Sequence, residues 1–161
     1  MTPASRARRR LAAAIATGAL FTSSVAKAVD VPAAGDRSPH VNYMLSCQGC
    51  HLPDGSGQAG RVPNLRGEVG KFLWVDGGRE YLVQVPGTAT SKLSDAETAE
   101  LLNWLVKTMG PPPPQAFRAY VPSEVSQLRR QWLRNPGELR AQLIARLRAD
   151  RRFDTPPNTV R

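Results

Sequence analysis

The pentad Cys47-Gln48-Gly49-Cys50-His51 sets two thiols and an imidazole side by side, in the C-x-x-C-H spacing of a c-type haem attachment site. Two cysteines three positions apart on the last turn of a helix can each reach one vinyl group of the same porphyrin. The histidine that follows then points at the iron as its proximal axial ligand. The pattern predicts one covalently attached haem c per chain, bound by Cys47, Cys50 and His51, with His51 on the metal.

Other chemistries also use paired cysteines. A thioredoxin-like redox pair belongs to a βαβ context, which the Pro- and Gly-rich sequence after His51 does not offer. A structural zinc site needs four ligands, and beyond the pentad the chain has only His40 and no third cysteine. A plain disulfide over so short a loop would stabilise little, and it would leave His51 without a role.

A chain of 161 residues allows one domain with an appendage. Arg6, Arg8, Arg9 and Arg10 form a basic start, Leu11 to Leu20 an apolar run, and Ala26-Lys27-Ala28 an A-x-A-like cleavage site. This is the layout of a secretory signal over residues 1–28. The apolar run is too short to span a bilayer comfortably, so no stable membrane insertion is expected. The paired arginines also fit a twin-arginine signal, but haem attachment needs thiols delivered unfolded, which favours general secretion. Either route ends in the bacterial periplasm. The net charge of +9 is not a nucleic-acid signal, because five positive charges belong to residues 1–28 and leave +4 without them. What remains is uneven. Residues 29–110 carry seven basic and nine acidic side chains, a net −2, whereas residues 111–161 carry ten and four, a net +6.

The elements that must hold the pentad are short. Val31 to Arg37 reads as a mobile lead-in. Ser38 can cap a helix with Pro39 in its first turn, running through Tyr43 and Met44 into the motif. Tyr43 lies one turn before Cys47 on the same face, placed to pack on another helix. That second helix is announced by the capping box Ser94-Asp95-Ala96-Glu97, carries Leu101, Leu102, Leu105, Val106 and Met109 at helical spacing with Trp104, and stops at Gly110. Between the two, glycine and proline are too dense for long elements, with short helices predicted near Lys71–Trp74 and Arg79–Val85. So small a loop-rich domain buries little surface by itself; a haem would supply the missing apolar core.

Together, Tyr43, Cys47-x-x-Cys50-His51, Asp54-Gly55-x-Gly57, Pro63-Asn64-Leu65-x-Gly67, Tyr81 and the capped helix with Trp104 resemble the class I cytochrome c family over about residues 38–109. The resemblance implies an all-α, cytochrome c-like fold whose first and last helices cross through Tyr43 and Trp104. It also implies that the Pro63 carbonyl accepts a hydrogen bond from the far nitrogen of His51. The sequence departs from the family at the loop before the final helix. Where the family carries a methionine as sixth iron ligand, residues 85–93 have none. Met44 sits too near the proximal side, Met109 reads as core, and Lys92 would have to lose its proton before it could bind iron. The sixth position is therefore open between Met109, Lys92, a residue of the C-terminal segment, or nothing.

That segment reads as a separate unit: a stiff polyproline spacer at Pro111–Pro114, then two amphipathic helices. Ser123 would cap the first, with Val125, Leu128 and Trp132 inward, and Asn135-Pro136 would start the second, with Leu139, Leu143 and Leu147 inward. Arg129, Arg130, Arg134, Arg140, Arg146, Arg148, Arg151 and Arg152 are assigned to the other faces. This basic extension is either a solvated surface, a strap over the mildly acidic domain, or an arm for an acidic partner. The domain plan is thus a signal at 1–28, a haem domain at 29–110 and an extension at 111–161. Functionally the chain reads as a periplasmic monohaem electron carrier without catalytic residues, passing single electrons from a dehydrogenase to an acceptor oxidase or cytochrome. The alternative is a gas sensor or small haem enzyme with an open or weakly held sixth position. A peroxidase would need a distal imidazole, and His40 is on the attachment helix, the wrong side.

Overall fold

In the computed structural model residues 37–150 are described; the expected export signal at 1–28 and Arg151 and Arg152 lie outside them. The described chain is all-α, with six α-helices, one 3-10 helix and no strand. Helix α1 (Pro39–Ser46) starts where the Ser38 hydroxyl accepts a hydrogen bond from Val41 N at 3.3 Å, with Pro39 in the first turn. Its end feeds directly into the pentad: Cys47 N donates to Tyr43 O and His51 N to Cys47 O, both at 2.9 Å.

The predicted short elements are present as a 3-10 helix at Val69–Trp74 and helix α2 at Gly78–Gln84. A further turn of helix, α3 (Pro86–Ala89), fills the loop that follows. Helix α4 (Asp95–Met109) has the full capping box: the Ser94 hydroxyl accepts from Glu97 N, and the Glu97 carboxylate accepts from Ser94 N at 2.9 Å. Tyr43, completely buried, sets its ring 5.7 Å from that of Trp104, so α1 packs on α4 through the expected pair.

The C-terminal segment departs from expectation. Pro111 to Pro114 do not space it away from the rest. A Cβ on Gly70 would lie 2.5 Å from Pro111 O, so only glycine lets the proline run lie against the 3-10 helix, and Trp74 Nε1 donates to Pro112 O at 3.3 Å. Helix α5 (Pro122–Arg129) begins at Pro122 with Val121, not Ser123, in the cap position, and α6 (Pro136–Ala149) begins at Pro136 as read. Tyr120, Val125, Leu143 and Leu147 are buried in one core with Val83 of α2 and Leu102 of α4. An isolated extension is therefore corrected by burial: among the described residues, 111–150 help to build the fold that 37–110 begin. Trp132 is corrected as well. It lies beyond the end of α5 and is 41% exposed, with the Arg134 guanidinium over its ring.

Polar ties hold the segment down. Arg79 of α2 donates to both Glu124 carboxylate oxygens at 2.6 and 2.7 Å while stacking 4.1 Å from the Tyr120 ring centre. Asn103 of α4 exchanges two hydrogen bonds with the Tyr120 backbone, and the Tyr120 hydroxyl donates to Arg79 O. Burial pushes that hydroxyl's pKa far up, so it stays a donor at all ordinary pH.

Candidate functional site: a cavity behind the C-x-x-C-H turn

Cys47, Cys50 and His51 line one cavity of about 330 Å³. The first wall is the turn after α1; the others are Phe72 of the 3-10 helix, Tyr81 and Leu82 of α2, the 85–93 loop, and Leu101 and Leu105 of α4. Phe72 and Tyr81 stack with centroids 5.1 Å apart, which gives that side a flat aromatic surface. The lining is mostly aliphatic and aromatic, as a site for a large apolar ligand must be.

The loop from Leu52 to Gly67 contributes Pro63, Asn64 and Leu65 to the lining. The Asp54 carboxylate accepts from Ser56 N at 3.0 Å and from Arg66 Nη1 at 2.9 Å; the Ser56 hydrogen bonds, with Arg66 adding to them, hold its pKa down at about 2. Tyr43 Oη donates to Leu52 O, and Asn64 Oδ1 accepts from Gly57 N at 2.7 Å. Gly57 must be glycine, because a Cβ there would come within 2.6 Å of Pro63 O.

The chemistry of the three pentad side chains narrows the choice of ligand. Burial, with the Cys50 sulfur adding to it, pushes the Cys47 thiol up to about 11. A redox pair works through a thiolate at neutral pH, so this environment does not suit one. Cys47 and Cys50 are both free thiols and not a disulfide. Among the described residues no group of three or more His, Cys, Asp or Glu side chains could hold a metal, which leaves zinc without a ligand set. Burial lowers the His51 pKa and so favours the neutral imidazole, the form that offers a lone pair. His51 Nδ1 is buried and without a hydrogen-bond partner. The implied bond from His51 to the Pro63 carbonyl is therefore not formed; Pro63 does line the cavity, with its carbonyl turned over Gly57. An apolar cavity flanked by two free thiols and one neutral imidazole fits a tetrapyrrole attached through Cys47 and Cys50 and ligated by His51.

The candidates for a sixth ligand stand elsewhere. Among the described lining residues there is no methionine and no lysine. Met44 is exposed, Lys92 is exposed, and Met109 packs between the two hydrophobic clusters with its sulfur against Gly55. His40 lies tilted against Trp104 with ring centroids 5.5 Å apart, outside the lining. Two lining residues escaped the sequence reading: Pro136 and Arg140, both from α6. Periodicity puts Arg140 on an outward face, and only the stripe Leu139, Leu143, Leu147 beside it signals that this helix turns a side toward the site.

No family profile and no solved structure matches the chain. Two curated relatives do, both cytochrome c-552 of Thermus thermophilus, each 31% identical over 102 residues. The match takes in 52% of this chain, with 78% of the first relative and 69% of the second. With that coverage, and with the cavity built around its C-x-x-C-H turn, the chain belongs to the c-type cytochromes.

Proposed function

We propose that this chain is an exported monohaem electron carrier. The observation that carries the reading is the convergence of Cys47, Cys50 and His51 on one wall of a mainly apolar cavity. Each thiol would add across one vinyl group to form a thioether, and the His51 imidazole, kept neutral by burial, would bind the iron. Bound there, a haem supplies a one-electron iron couple. The protein's part is to exclude water and set the potential through the ligand and the surrounding dielectric. Phe72, Tyr81, Leu82, Leu101 and Leu105 provide the excluding wall. Export to the periplasm rests on the signal-like residues 1–28, and no described helix is long and apolar enough to cross a membrane. The partners in this reading are a donor dehydrogenase and an acceptor oxidase or cytochrome of the same compartment.

Mass spectrometry and absorption spectra of the exported protein test it. The expected result is one haem added to the mass, retained through acid-acetone extraction, and a spectrum that changes between oxidised and reduced forms. A colourless protein, or haem that extracts freely, refutes the reading.

A second reading rests on the cavity lining. With no methionine or lysine among its described residues, the iron face away from His51 would be open to a diatomic gas, as in a sensor. Electron exchange with a partner cytochrome separates the two: fast exchange, whether or not the reduced protein also binds carbon monoxide, supports the carrier, and none supports the sensor.

A further inference from the structure

The cavity around His51 has one charged corner. Among its described lining residues Arg140 is the only Lys, Arg, Asp or Glu. A second cavity of about 470 Å³ shares Pro63, Asn64 and Arg140 with the first and adds Arg61, again with no acidic side chain in its described lining. Neither Arg140 nor Arg61 joins the ion pairs formed among the described residues. The Arg140 charge is felt inside the first cavity: burial raises the Tyr81 hydroxyl pKa and Arg140 opposes that rise. The apolar chamber and its neighbour thus share Asn64 and Arg140, with Arg61 beside them in the second and no acidic side chain in the described lining of either.

Haem has the complementary form, an apolar disc with two carboxylates on one edge. We propose that Arg140 of α6, with Arg61 and Asn64 beside it, binds the carboxylate edge of the haem, so that the C-terminal segment supplies the cofactor's counter-charge. The inference rests on the haem reading above. A guanidinium fork matches a carboxylate and holds it more strongly than a neutral donor does. By balancing the negative charge of that edge it also destabilises ferric iron relative to ferrous, and so raises the reduction potential.

The test uses the haem-loaded, full-length protein and the substitutions Arg140→Gln, Arg61→Gln and Arg148→Gln. The last makes the same charge change at an exposed position of α6. All three should keep the covalent haem mass. Arg140→Gln should lower the potential enough to raise the ferric-to-ferrous ratio about tenfold at a fixed ambient potential, about 59 mV for one electron. Arg61→Gln should shift it in the same direction by less, and Arg148→Gln least of all. The resonance Raman band of propionate bending should move in Arg140→Gln and stay in place in Arg148→Gln. Should Arg140→Gln fold poorly, Arg140→Lys keeps the charge without the fork, and should hold the potential while displacing the Raman band. Either Arg140 variant with the wild-type band, or haem-loaded Arg140→Gln with no larger potential shift than Arg148→Gln, overturns this inference and leaves the haem reading standing. A wild-type protein without covalent haem overturns both.

Discussion

Arg129 of α5 meets Asp95 at the start of α4 at 3.0 Å, and the same guanidinium donates to the carbonyl oxygens of Ala89, Ser91 and Leu93 at 2.6 to 2.9 Å. One side chain from the C-terminal segment therefore satisfies three backbone acceptors of a loop that, like His51, lines the cavity. Replacing it leaves those carbonyls without their donor, at about 1–3 kcal/mol for each acceptor left unsatisfied and out of reach of water. Arg129→Met should lower the melting temperature by several degrees, and Arg129→Lys should recover little, since an ammonium cannot reproduce the planar fork. Thermal melts of the three proteins decide it; a wild-type melting temperature for Arg129→Met would show that the loop stands unaided.

The Arg79–Glu124 pair gives the segment a pH dependence with a definite sign. Hydrogen bonds from the Arg79 guanidinium hold the Glu124 carboxyl below the usual carboxylate range. Its folded pKa is thus lower than its unfolded one. The stability it contributes is complete above the ordinary carboxylate pKa of about 4.3 and is lost as the pH falls through the folded value. Urea midpoints should decline as the pH drops from about 5 toward 3, and Glu124→Gln should lower the midpoint at neutral pH while flattening that decline. An identical slope in Glu124→Gln would assign the acid sensitivity to other carboxylates, of which Asp54 and Glu97 also have lowered pKa values.

Removing residues 111–161 separates a partner arm from a structural segment. An arm would leave a folded, coloured domain with an unchanged spectrum. The burial of Tyr120, Val125, Leu143 and Leu147 against Val83 and Leu102 points the other way. Full burial of each such side chain stabilises by about 1.5–3 kcal/mol, and four of them together rival the whole margin of about 5–15 kcal/mol that holds a domain folded. A chain ending at Gly110 should be exported poorly folded and degraded or aggregated. Leu143→Ala is the milder version: the side chain is completely buried, so the change should cost about 2–5 kcal/mol. A wild-type melting temperature in that variant would restore the arm.

The contrast between α4 and the C-terminal segment shows what sequence can carry. The capping box at Ser94, the Ser38-Pro39 start of α1 and the C-x-x-C-H turn are local patterns; the first two cap the helices they announce, and the third lies on the wall of one cavity. Periodicity says which residues share a face but not what that face meets. Arg129 and Arg140 therefore read as solvated charges, although one grips the 89–93 loop and the other enters the cavity lining. Trp132 read as inward because it follows Leu128 by four residues, and that period lapses where α5 ends at Arg129. The prolines read as a spacer because the close approach of Gly70 to Pro111 is a long-range contact with no local signature.

With haem bound as proposed, the iron face away from His51 would have few described residues to cover it. If the carrier holds a strong sixth ligand from the described chain, that ligand must be brought in from outside the present lining, and Met109 is the sulfur best placed to compete. Its half-buried side chain already packs against both hydrophobic clusters, and its backbone carbonyl accepts a hydrogen bond from Gly67 N at 2.6 Å, so swinging it inward would mean repacking the end of α4. We expect Met109→Leu, a nearly volume-conserving exchange that should cost under about 1.5 kcal/mol, to leave the absorption spectrum unchanged, as should Met44→Leu and Lys92→Ala. His51→Ala should abolish the wild-type spectrum. The reduced wild-type protein should then bind carbon monoxide readily, because neither methionine nor lysine stands among the described residues of the cavity wall to be displaced. Failure to bind the gas, together with loss of a low-spin spectrum in Met109→Leu alone, would make Met109 the sixth ligand and require α4 to rearrange around the loaded haem.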